Sequence, residues 1–218
     1  MKKFVQIAID GPAASGKSTI AKIVAQKLNY VYIDTGAMYR AITWAVINAE
    51  IDLDNEELIS DLLSKIEIIL TPDNQVFVNE QDVTEAVRLP GVTSLVSKVA
   101  AYQSVRTILK DRQVAMAKVN NVIMDGRDIG TNVLPNANYK FFMIADSRVR
   151  AQRRYDELTS KGIETDIDKL EEEIKKRDEL DANREFAPLK QAQDAILIDT
   201  SALSIQEVVD KMVGYVLK

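Results

Sequence analysis

The stretch IAIDGPAASGKSTIAK, residues 7–22, places a loop of small residues between an apolar run and a lysine with two hydroxyl side chains. Residues 11–18 fit the pattern G-x-x-x-x-G-K-[ST] of the phosphate-binding P-loop. Small residues allow the backbone to curl so that its N–H groups point at an anion. The lysine adds a positive charge for the β- and γ-phosphates of a nucleotide. The stretch therefore predicts a phosphate-binding site.

The flanking sequence supports this interpretation. Residues 4–9 read as a buried strand, and residues 17–28 read as a helix with one apolar face. The helix N-terminus would add its partial positive charge at the phosphate. The predicted donor site comprises Gly11, Pro12, Ala13, Ala14, Ser15, Gly16, Lys17, Ser18 and Thr19.

Composition narrows the classes of protein. The chain has 218 residues, 46% of them hydrophobic, which suits one domain with excursions or two small ones. It contains no cysteine and no histidine, so disulfides, imidazole bases and His-ligated metals are excluded and a reducing compartment is expected. The net charge of −5 argues against a general nucleic-acid surface. No apolar run is long enough to span a bilayer, and Asp10 interrupts the N-terminal run too early for a signal peptide.

Five short apolar segments predict parallel strands covered on both faces. They are residues 4–9, 31–33, 122–124, 141–144 and 195–198. Helical patterns lie between them, so an open α/β sheet is expected. The strands end near Asp10, Asp34, Asp125, Asp146 and Asp199. Ligands of such sheets bind beyond the carboxyl ends of the strands, although Asp146 and Asp199 are predicted only to cap helices.

The alternation is broken between the second and third strands. Alternating apolar residues from Ile66 to Leu70, a turn at residues 71–74 and the run Val76–Val78 predict a hairpin. A third short strand could start at Asp82. We expect a small antiparallel sheet flanked by helices, inserted into the α/β core.

The second break lies between the fourth and fifth strands. Its charged sequence predicts two polar helices around a loop near residues 161–162. A solvated face would explain most such charge, but seven of the eleven arginines lie between residues 148 and 184 or in the stretch DGRD. Such a concentration suits bidentate phosphate binding. Two sets share helical faces: Arg150, Arg153 and Arg154, and then Arg177, Asp181 and Arg184.

The P-loop alone is compatible with an ATPase, a GTPase switch, a kinase or a transport motor. Four further stretches distinguish these classes: DTGAMYR (34–40), SKVAAYQSVR (97–106), MDGRDIGT (124–131) and KKRDELDANR (175–184), the last followed by APL. Together with IDGPAASGKST they closely resemble the bacterial cytidylate kinases, also called CMP kinases, in order along the whole chain.

The resemblance implies phosphate transfer from ATP to CMP or dCMP with Mg²⁺, by a cytoplasmic monomer that binds neither nucleic acid nor membrane. It implies an α/β P-loop kinase fold over residues 1–218, with a five-stranded parallel sheet flanked by helices. The small antiparallel sheet would belong to a monophosphate-binding insert, residues 36–105, and residues 147–167 would form a mobile helical lid. We expect this lid to be open without nucleotide, because its arginines would repel one another.

Roles for individual residues also follow from the resemblance. The Ser18 hydroxyl would ligate Mg²⁺, with Asp34 and Asp125 orienting its waters; for each carboxylate the alternative is a helix cap or a structural role. Lys17, Arg127 and the lid arginines Arg150, Arg153 and Arg154 would act in catalysis. We expect one lid arginine to contact the moving phosphoryl group and the other two to pair with acids around residues 171–173. The CMP site would comprise Thr35, Tyr39, Arg40, Ser97, Arg106, Arg127, Asp128, Arg177, Asp181 and Arg184.

The edges of the base suggest how cytosine is chosen. Cytosine offers an amino donor at N4 and acceptors at N3 and O2. Asp128 and the Ser97 hydroxyl can accept from N4, and Arg106 can donate to N3 and O2. Uracil would set a carbonyl against the carboxylate, so such a site should reject it. The alternative role for Asp128 is to hold Arg127 or Arg106 in place.

Two rival functions remain open from the sequence. A nucleotide-dependent switch shares the P-loop, but the chain lacks the guanine-reading N-K-x-D and the D-x-x-G of GTPases. A P-loop kinase for another small acceptor, such as UMP, GMP or shikimate, would share most of these features, and a panel of acceptors would separate it.

Overall fold

The computed structural model describes residues 4–217. Within this range the strands are β1 (Gln6–Asp10), β2 (Val31–Asp34), β3 (Ile68–Leu70), β4 (Val76–Val78), β5 (Gln81–Asp82), β6 (Val122–Gly126), β7 (Tyr139–Ile144) and β8 (Ile196–Asp199). The helices are α1 (Lys17–Leu28), α2 (Thr35–Asn48), α3 (Glu56–Lys65), α4 (Pro90–Thr93), α5 (Val96–Val99), α6 (Gln103–Ala117), α7 (Ser147–Ser160), α8 (Ile167–Asn183) and α9 (Ile205–Val216). A 3₁₀ turn spans Ala86–Arg88, and a π-helical turn spans Ile129–Val133.

The central sheet has five strands in the order β2-β6-β1-β7-β8, all parallel. The five predicted strands are therefore confirmed, with ends that differ by one or two residues. Because parallel strands end at the same edge, this order brings the carboxyl ends of β2, β6 and β1 together, and the loop before α1 lies among them.

Alternation along the strands divides the sheet's packing into two faces. Ile7 and Ile9 of β1 pack in a cluster with α1 and α9. Ala8, between them, belongs to a second cluster that contains Ala117 of α6 and the segment after β6. Helices therefore cover both faces, which is why the strands read as nearly continuous apolar runs.

The predicted antiparallel insert is present between β2 and β6. The small sheet has the order β3-β4-β5, and Ile68 pairs with Val78 and Leu70 with Val76. Its apolar side packs with α2, α3 and α6 in a core of its own, which includes Met38, Ile59 and Leu109. Insert and central sheet thus meet at α2, which starts directly where β2 ends.

The two predicted polar helices after β7 are α7 and α8. They pack on each other through a small apolar cluster of Ala151, Leu158, Leu170 and Ile174. Gly162, with φ of +73°, lies in the connection between them. Among residues 4–217, no helix combines the length and the apolar composition needed to cross a membrane.

Candidate active site

The loop between β1 and α1 requires glycine at both of its ends. Gly11 has φ of +149°, and a Cβ atom there would lie 2.0 Å from the main-chain oxygen of Met143, so only glycine fits. Gly16 precedes α1 with φ of +90°, and no side chain caps the first turn of that helix. The N–H groups and the positive end of the helix dipole are therefore left for an anion.

Lys17 is buried, and its ammonium group lies over its own loop. Its Nζ donates to the Pro12 carbonyl at 2.7 Å and contacts the Ser15 hydroxyl at 3.4 Å. Burial, together with the nearby charge of Arg127, lowers the pKa of Lys17 to about 7. A phosphate at this loop would replace weak neutral partners with an opposite charge and would favour the protonated lysine.

Ser18 is held by a carboxylate from the neighbouring strand. Its hydroxyl donates to Asp125 Oδ2 at 2.7 Å, and the Tyr32 hydroxyl donates to Asp125 Oδ1 at 2.8 Å. Burial and the proximity of Asp34 raise the pKa of Asp125. Sequence reasoning missed Tyr32, which looked like one more apolar strand residue. One signal was available: Tyr32 lies two positions before Asp34 on β2, and Asp34 ends its strand as Asp125 nearly ends β6.

The oxygen ligands here fit Mg²⁺. Magnesium prefers oxygen and is usually bound through one or two protein groups, waters and substrate phosphates. Ser18 is exposed and its hydroxyl meets the Asp125 carboxylate. No group of three or more acidic, histidine or cysteine side chains that could hold a metal occurs in residues 4–217. The Ser18 hydroxyl and the Asp125 carboxylate are the oxygen groups that would serve a cation at this loop.

Asp34 lies beside Asp125, because the two residues pair in register on β2 and β6. Its Oδ1 accepts from the Ala37 N–H at 2.8 Å, which caps α2, and its Oδ2 accepts from Arg40 at 3.1 Å. Burial opposes ionisation, but the Arg40 charge and the Ala37 N–H outweigh it and hold the pKa of Asp34 below its usual range. Asp34 therefore adopts the helix-cap role that the sequence left open.

Three of the arginines predicted for the CMP site, Arg127, Arg177 and Arg184, belong to the surroundings of Asp181. Arg127 Nε donates to Asp181 Oδ2 at 2.7 Å, and Arg184 lies 3.7 Å from Asp181 Oδ1. Arg177 is one turn before Asp181 on α8, and its buried Nε has no hydrogen-bond partner. Burial, followed by the charge of Arg127, lowers the pKa of Arg177 to about 10. Unpaired cationic nitrogens of this kind favour an anionic ligand.

A second pair lies at the predicted base site. Arg106 and Asp128 are almost fully buried, and Arg106 Nη2 donates to Asp128 Oδ1 at 2.5 Å. Arg106 also donates to the Ala100 carbonyl at 3.0 Å and lies 5.2 Å from the ring centroid of Tyr39. Arg184 is 3.7 Å from Asp128, too far for a hydrogen bond. The alternative in which Asp128 holds Arg106 is therefore realised in the structure.

The other predicted contacts to CMP have varied environments. The buried Thr35 donates its hydroxyl to the Asp125 carbonyl at 2.6 Å, so it ties α2 to β6. Burial raises the pKa of Tyr39 to about 12, which keeps its phenol neutral. Ser97 lies half-buried on the short helix α5.

Two of the three lid arginines bind the P-loop backbone. Arg150 is buried, donates to the Ala13 carbonyl at 3.1 Å and pairs with Asp178 at 2.7 Å. Arg153 donates to the Ser15 carbonyl at 3.3 Å and to the Thr200 carbonyl at 2.7 Å. These contacts attach the first half of α7 to the P-loop.

The ion pair of Arg150 involves the expected acidic helix, α8, but its partner is Asp178 rather than residues 171–173. Glu171 instead pairs with Arg148, which also pairs with Asp168. Arg154 pairs with Glu157 in its own helix at 2.8 Å. The three arginines therefore all have partners, and mutual repulsion among them is largely neutralised. Sequence spacing fixed their face on α7 but could not identify the acids that the fold brings opposite them.

The two strand-end aspartates predicted to cap helices differ. Asp146 accepts from the Arg148 N–H at 2.8 Å and caps α7, as predicted. Asp199 does not cap a helix: it accepts from the N–H and hydroxyl of Ser201 in a turn. Helix α9 starts later and is capped by Ser204, because the chain makes an additional turn after β8.

Asp10 has a role that the sequence did not indicate. The buried carboxylate at the end of β1 accepts from the N–H groups of Ile129 at 2.8 Å and Gly130 at 2.7 Å. Burial raises its pKa to about 6, although these two hydrogen bonds oppose that shift. Asp10 thereby fixes the segment that carries Asp128 against the strand that leads into the P-loop.

Known proteins of one family are similar to this chain along nearly its whole length. A family model described as cytidylate kinase matches residues 7–218. The cytidylate kinase of Bacillus subtilis is 54% identical over 215 residues, which cover 97% of this chain and 96% of that protein. The cytidylate kinase of Bacillus anthracis is 50% identical over 220 residues, covering 100% of this chain and 98% of that protein.

Solved structures show the same architecture at low identity. A shikimate kinase from Bacteroides thetaiotaomicron matches with a TM-score of 0.51 at 16% identity, over 98% of this chain and 99% of that one. A gluconokinase from Sinorhizobium meliloti matches with a TM-score of 0.51 at 12% identity, over 98% and 92%. These likenesses concern the fold alone, and they place the chain's fold among P-loop kinases.

Proposed function

The chain belongs to the cytidylate kinase family, and on this premise we propose that it transfers the γ-phosphoryl group of ATP to CMP or dCMP, giving ADP and CDP or dCDP. The observation that carries the proposal is the carboxyl end of β6. Within four residues it supplies Asp125 to Ser18, Arg127 to the cluster around Asp181, and Asp128 to Arg106. One strand end thus joins the donor, the acceptor phosphate and the base.

On the donor side, backbone N–H groups of the P-loop would bind the β- and γ-phosphates, and Lys17 would neutralise charge as the phosphoryl group leaves. Bound with ATP, Mg²⁺ would neutralise further phosphate charge, with Ser18 as its protein ligand and Asp125 holding its waters. Asp34 is engaged with Ala37 and Arg40, so we assign it to the positioning of Arg40 rather than to the metal's waters.

The acceptor phosphate would bind among Arg40, Arg127, Arg177 and Arg184. Two features support this assignment: Arg40 Nε and Arg177 Nε are buried without hydrogen-bond partners, and the positive charges of Arg127 and Arg40 lower the pKa of Arg177. An anion would relieve that repulsion, so phosphate binding and the charge of the cluster are coupled. Asp181 would hold Arg127 in place and, with Arg177, approach the sugar hydroxyls.

Among the lid arginines, we assign the transferring phosphoryl group to Arg154. Arg150 and Arg153 are occupied with P-loop carbonyls, whereas the ion pair of Arg154 is with the partly exposed Glu157 of its own helix. Burial is the main cause of the lowered pKa of Arg177, and the positive charge of Arg154 adds to it. An arginine supplied by the same chain is a recurring element of phosphoryl transfer.

Base selection would rest on Asp128 and Arg106, with Ser97 as a second acceptor. A carboxylate oxygen has two lone pairs, so Asp128 can accept from the cytosine N4 amino group while it holds Arg106. Uracil would present O4 to the same carboxylate and N3–H to the arginine, and both contacts would be repulsive. The base contacts do not involve the 2′-hydroxyl, so they do not distinguish CMP from dCMP. We further propose a cytoplasmic monomer, as the family resemblance implies.

The test is an ADP-release assay of the purified protein with ATP and Mg²⁺ across CMP, dCMP, UMP, GMP, AMP and shikimate. We expect CMP and dCMP to be phosphorylated with kcat/KM at least about tenfold above every other acceptor, because a site that hydrogen-bonds a substrate group rejects analogues that lack it. A preference for shikimate or UMP would overturn the proposal, and so would hydrolysis without an acceptor together with nucleotide-dependent release of a protein partner.

A further inference from the structure

The carboxylate of Asp128 is held on both of its oxygens. Arg106 donates to Oδ1, and the side-chain amide of Asn132 donates to Oδ2 at 2.9 Å. Arg106 is part of the base site already described, whereas Asn132 has no assigned role. The second contact matters because one hydrogen bond fixes the position of a carboxylate oxygen but leaves the plane of the group free to rotate.

The direction of the Asn132 amide is set by its other neighbour. Lys110 Nζ lies 2.8 Å from Asn132 Oδ1. A lysine ammonium only donates and an ionised carboxylate only accepts, so between these two groups the amide has one satisfied orientation. Its oxygen faces Lys110 and its nitrogen faces Asp128. Lys110, Asn132 and Asp128 therefore form a relay with a defined polarity.

The register of two elements produces this relay. Arg106 and Lys110 are one turn apart on α6, and Asp128 and Asn132 are four residues apart across the π-helical turn. The Asn132 N–H also donates to the Asp128 carbonyl at 2.9 Å. Two parallel contacts, Arg106 to Asp128 and Lys110 to Asn132, thus join the helix to the turn. Such π-helical turns occur frequently at functional sites.

We propose that Asn132, oriented by Lys110, is a positioning residue that fixes the plane of the Asp128 carboxylate so that it accepts from the cytosine N4 amino group. The inference rests on the proposed function. Discrimination between an amino group and a carbonyl depends on where the acceptor lone pair points. Without Asn132 the plane of the carboxylate can turn about its contact with Arg106, because Arg184, 3.7 Å from Oδ1, is too far away to hold it. Cytosine would then lose its acceptor, and uracil would meet less repulsion.

The first test compares Asn132→Leu with wild type in steady-state kinetics on CMP and UMP. We expect kcat/KM for CMP to fall about five- to tenfold, through KM, with kcat within about twofold and the UMP reaction unchanged or slightly faster. The CMP-to-UMP ratio, which is kcat/KM for CMP divided by kcat/KM for UMP, should fall by the same factor. An equal loss on both substrates, or an unchanged ratio, would overturn the positioning role.

The controls separate this role from general stability and from failure of the proposed function. Asn136→Leu makes the same substitution at an exposed turn residue nearby and should leave the ratio unchanged. If Asn132→Leu does not fold, as judged by its melting temperature, Lys110→Met alone should still narrow the ratio, by about two- to threefold. If the wild type fails to phosphorylate CMP, the proposed function and this inference are overturned together. If the wild type is active but the CMP-to-UMP ratio is unaltered in both Asn132→Leu and Lys110→Met, this inference alone is overturned.

A double variant tests the relay itself. Because Lys110 is proposed to act through Asn132, Lys110→Met should have no further effect on the CMP-to-UMP ratio in the Asn132→Leu background. If the lysine substitution narrows the ratio by the same factor in both backgrounds, the two residues act independently and the relay is wrong.

Discussion

The donor loop and the acceptor cluster bind the same chemical group, but the chain builds them in different ways. The donor loop is contiguous: Gly11 to Ser18 supply backbone N–H groups, one lysine and one hydroxyl. The acceptor cluster gathers side chains from distant elements, with Arg40 on α2, Arg127 after β6 and Arg177 on α8. Its arginines are positioned by the aspartates Asp34 and Asp181.

This difference changes what a substitution removes. In the donor loop, the anion-binding groups are mostly main-chain atoms, so a side-chain substitution removes a charge and leaves the cradle in place. In the acceptor cluster, Arg40 and Arg127 each pair with a carboxylate, so removing one member of a pair disturbs the other. We therefore expect donor-site variants to lose kcat, and acceptor-site variants to lose affinity and selectivity.

The largest expected effect is in the donor loop. Lys17→Ala should lower kcat by at least about 10²-fold, because electrostatic groups of this kind contribute a few kcal/mol to the transition state. The melting temperature should change little, since the buried lysine has a lowered pKa and only local partners. Lys27→Ala, on the exposed end of the same helix, is the matched control. Near-normal turnover of the Lys17 variant would show that the loop does not act on the transferred phosphate.

The next effect concerns the base end of the acceptor site. Asp128→Asn should lower kcat/KM for CMP by roughly ten- to a hundredfold, because a charge-assisted hydrogen bond contributes about 1.5–3 kcal/mol. UMP turnover should be unchanged or improved, because the amide can present its NH₂ to O4. Asp111→Asn on the exposed side of α6 serves as the control. Equal losses on CMP and UMP would instead mean that Asp128 acts mainly by holding Arg106.

The lid arginines should divide into a functional and a structural class. Arg154→Ala should lower kcat at least about tenfold with little change in melting temperature. Arg150→Ala should lose about 3 kcal/mol of stability, because it leaves Asp178 unpaired, and should melt roughly 6–12 °C lower. Calorimetry and single-turnover rates on both variants check this. The division fails if Arg150→Ala melts normally but loses turnover, or if Arg154→Ala retains full turnover.

The last effect links the two regions through Asp10. Its pKa in the native state is about 6, above the ordinary 3.8, so the folded protein holds this proton more tightly than the unfolded chain does. The contribution of Asp10 to the free energy of unfolding is then greatest below pH 4 and falls by up to about 3 kcal/mol as the pH rises through 6. Urea unfolding of wild type and Asp10→Asn between pH 4 and 7 should show a difference in free energy of unfolding between the two proteins that changes by this amount. If the free energies of unfolding of the two proteins run parallel as the pH changes, the pKa of Asp10 does not differ between the folded and unfolded states.

Much of the fold was predictable because its signals are local. The P-loop, the five strands, the hairpin with its third strand and the paired polar helices follow from runs and spacings of a few residues. The phosphate-binding loop was equally predictable, since its function depends on consecutive main-chain groups. The errors occurred where a side chain has a choice of partners: Asp199 caps a turn rather than a helix, and Arg150 pairs with Asp178 rather than with residues 171–173.

The sequence by itself thus determined an α/β phosphate-binding protein and the residue types that surround its ligands. Only the tertiary structure decided which arginine pairs with which carboxylate and that Asp34 caps a helix. It also decided that Tyr32 and Ser18 both donate to Asp125. In the same way, it placed Asn132 between Lys110 and Asp128. The physical reason is that hydrogen bonds between side chains form between atoms within about 3 Å, whereas these partners are separated by up to more than a hundred residues along the chain. Local patterns fix the face of the helix or strand on which each side chain lies, and the packing of the sheet and helices fixes which partner it contacts.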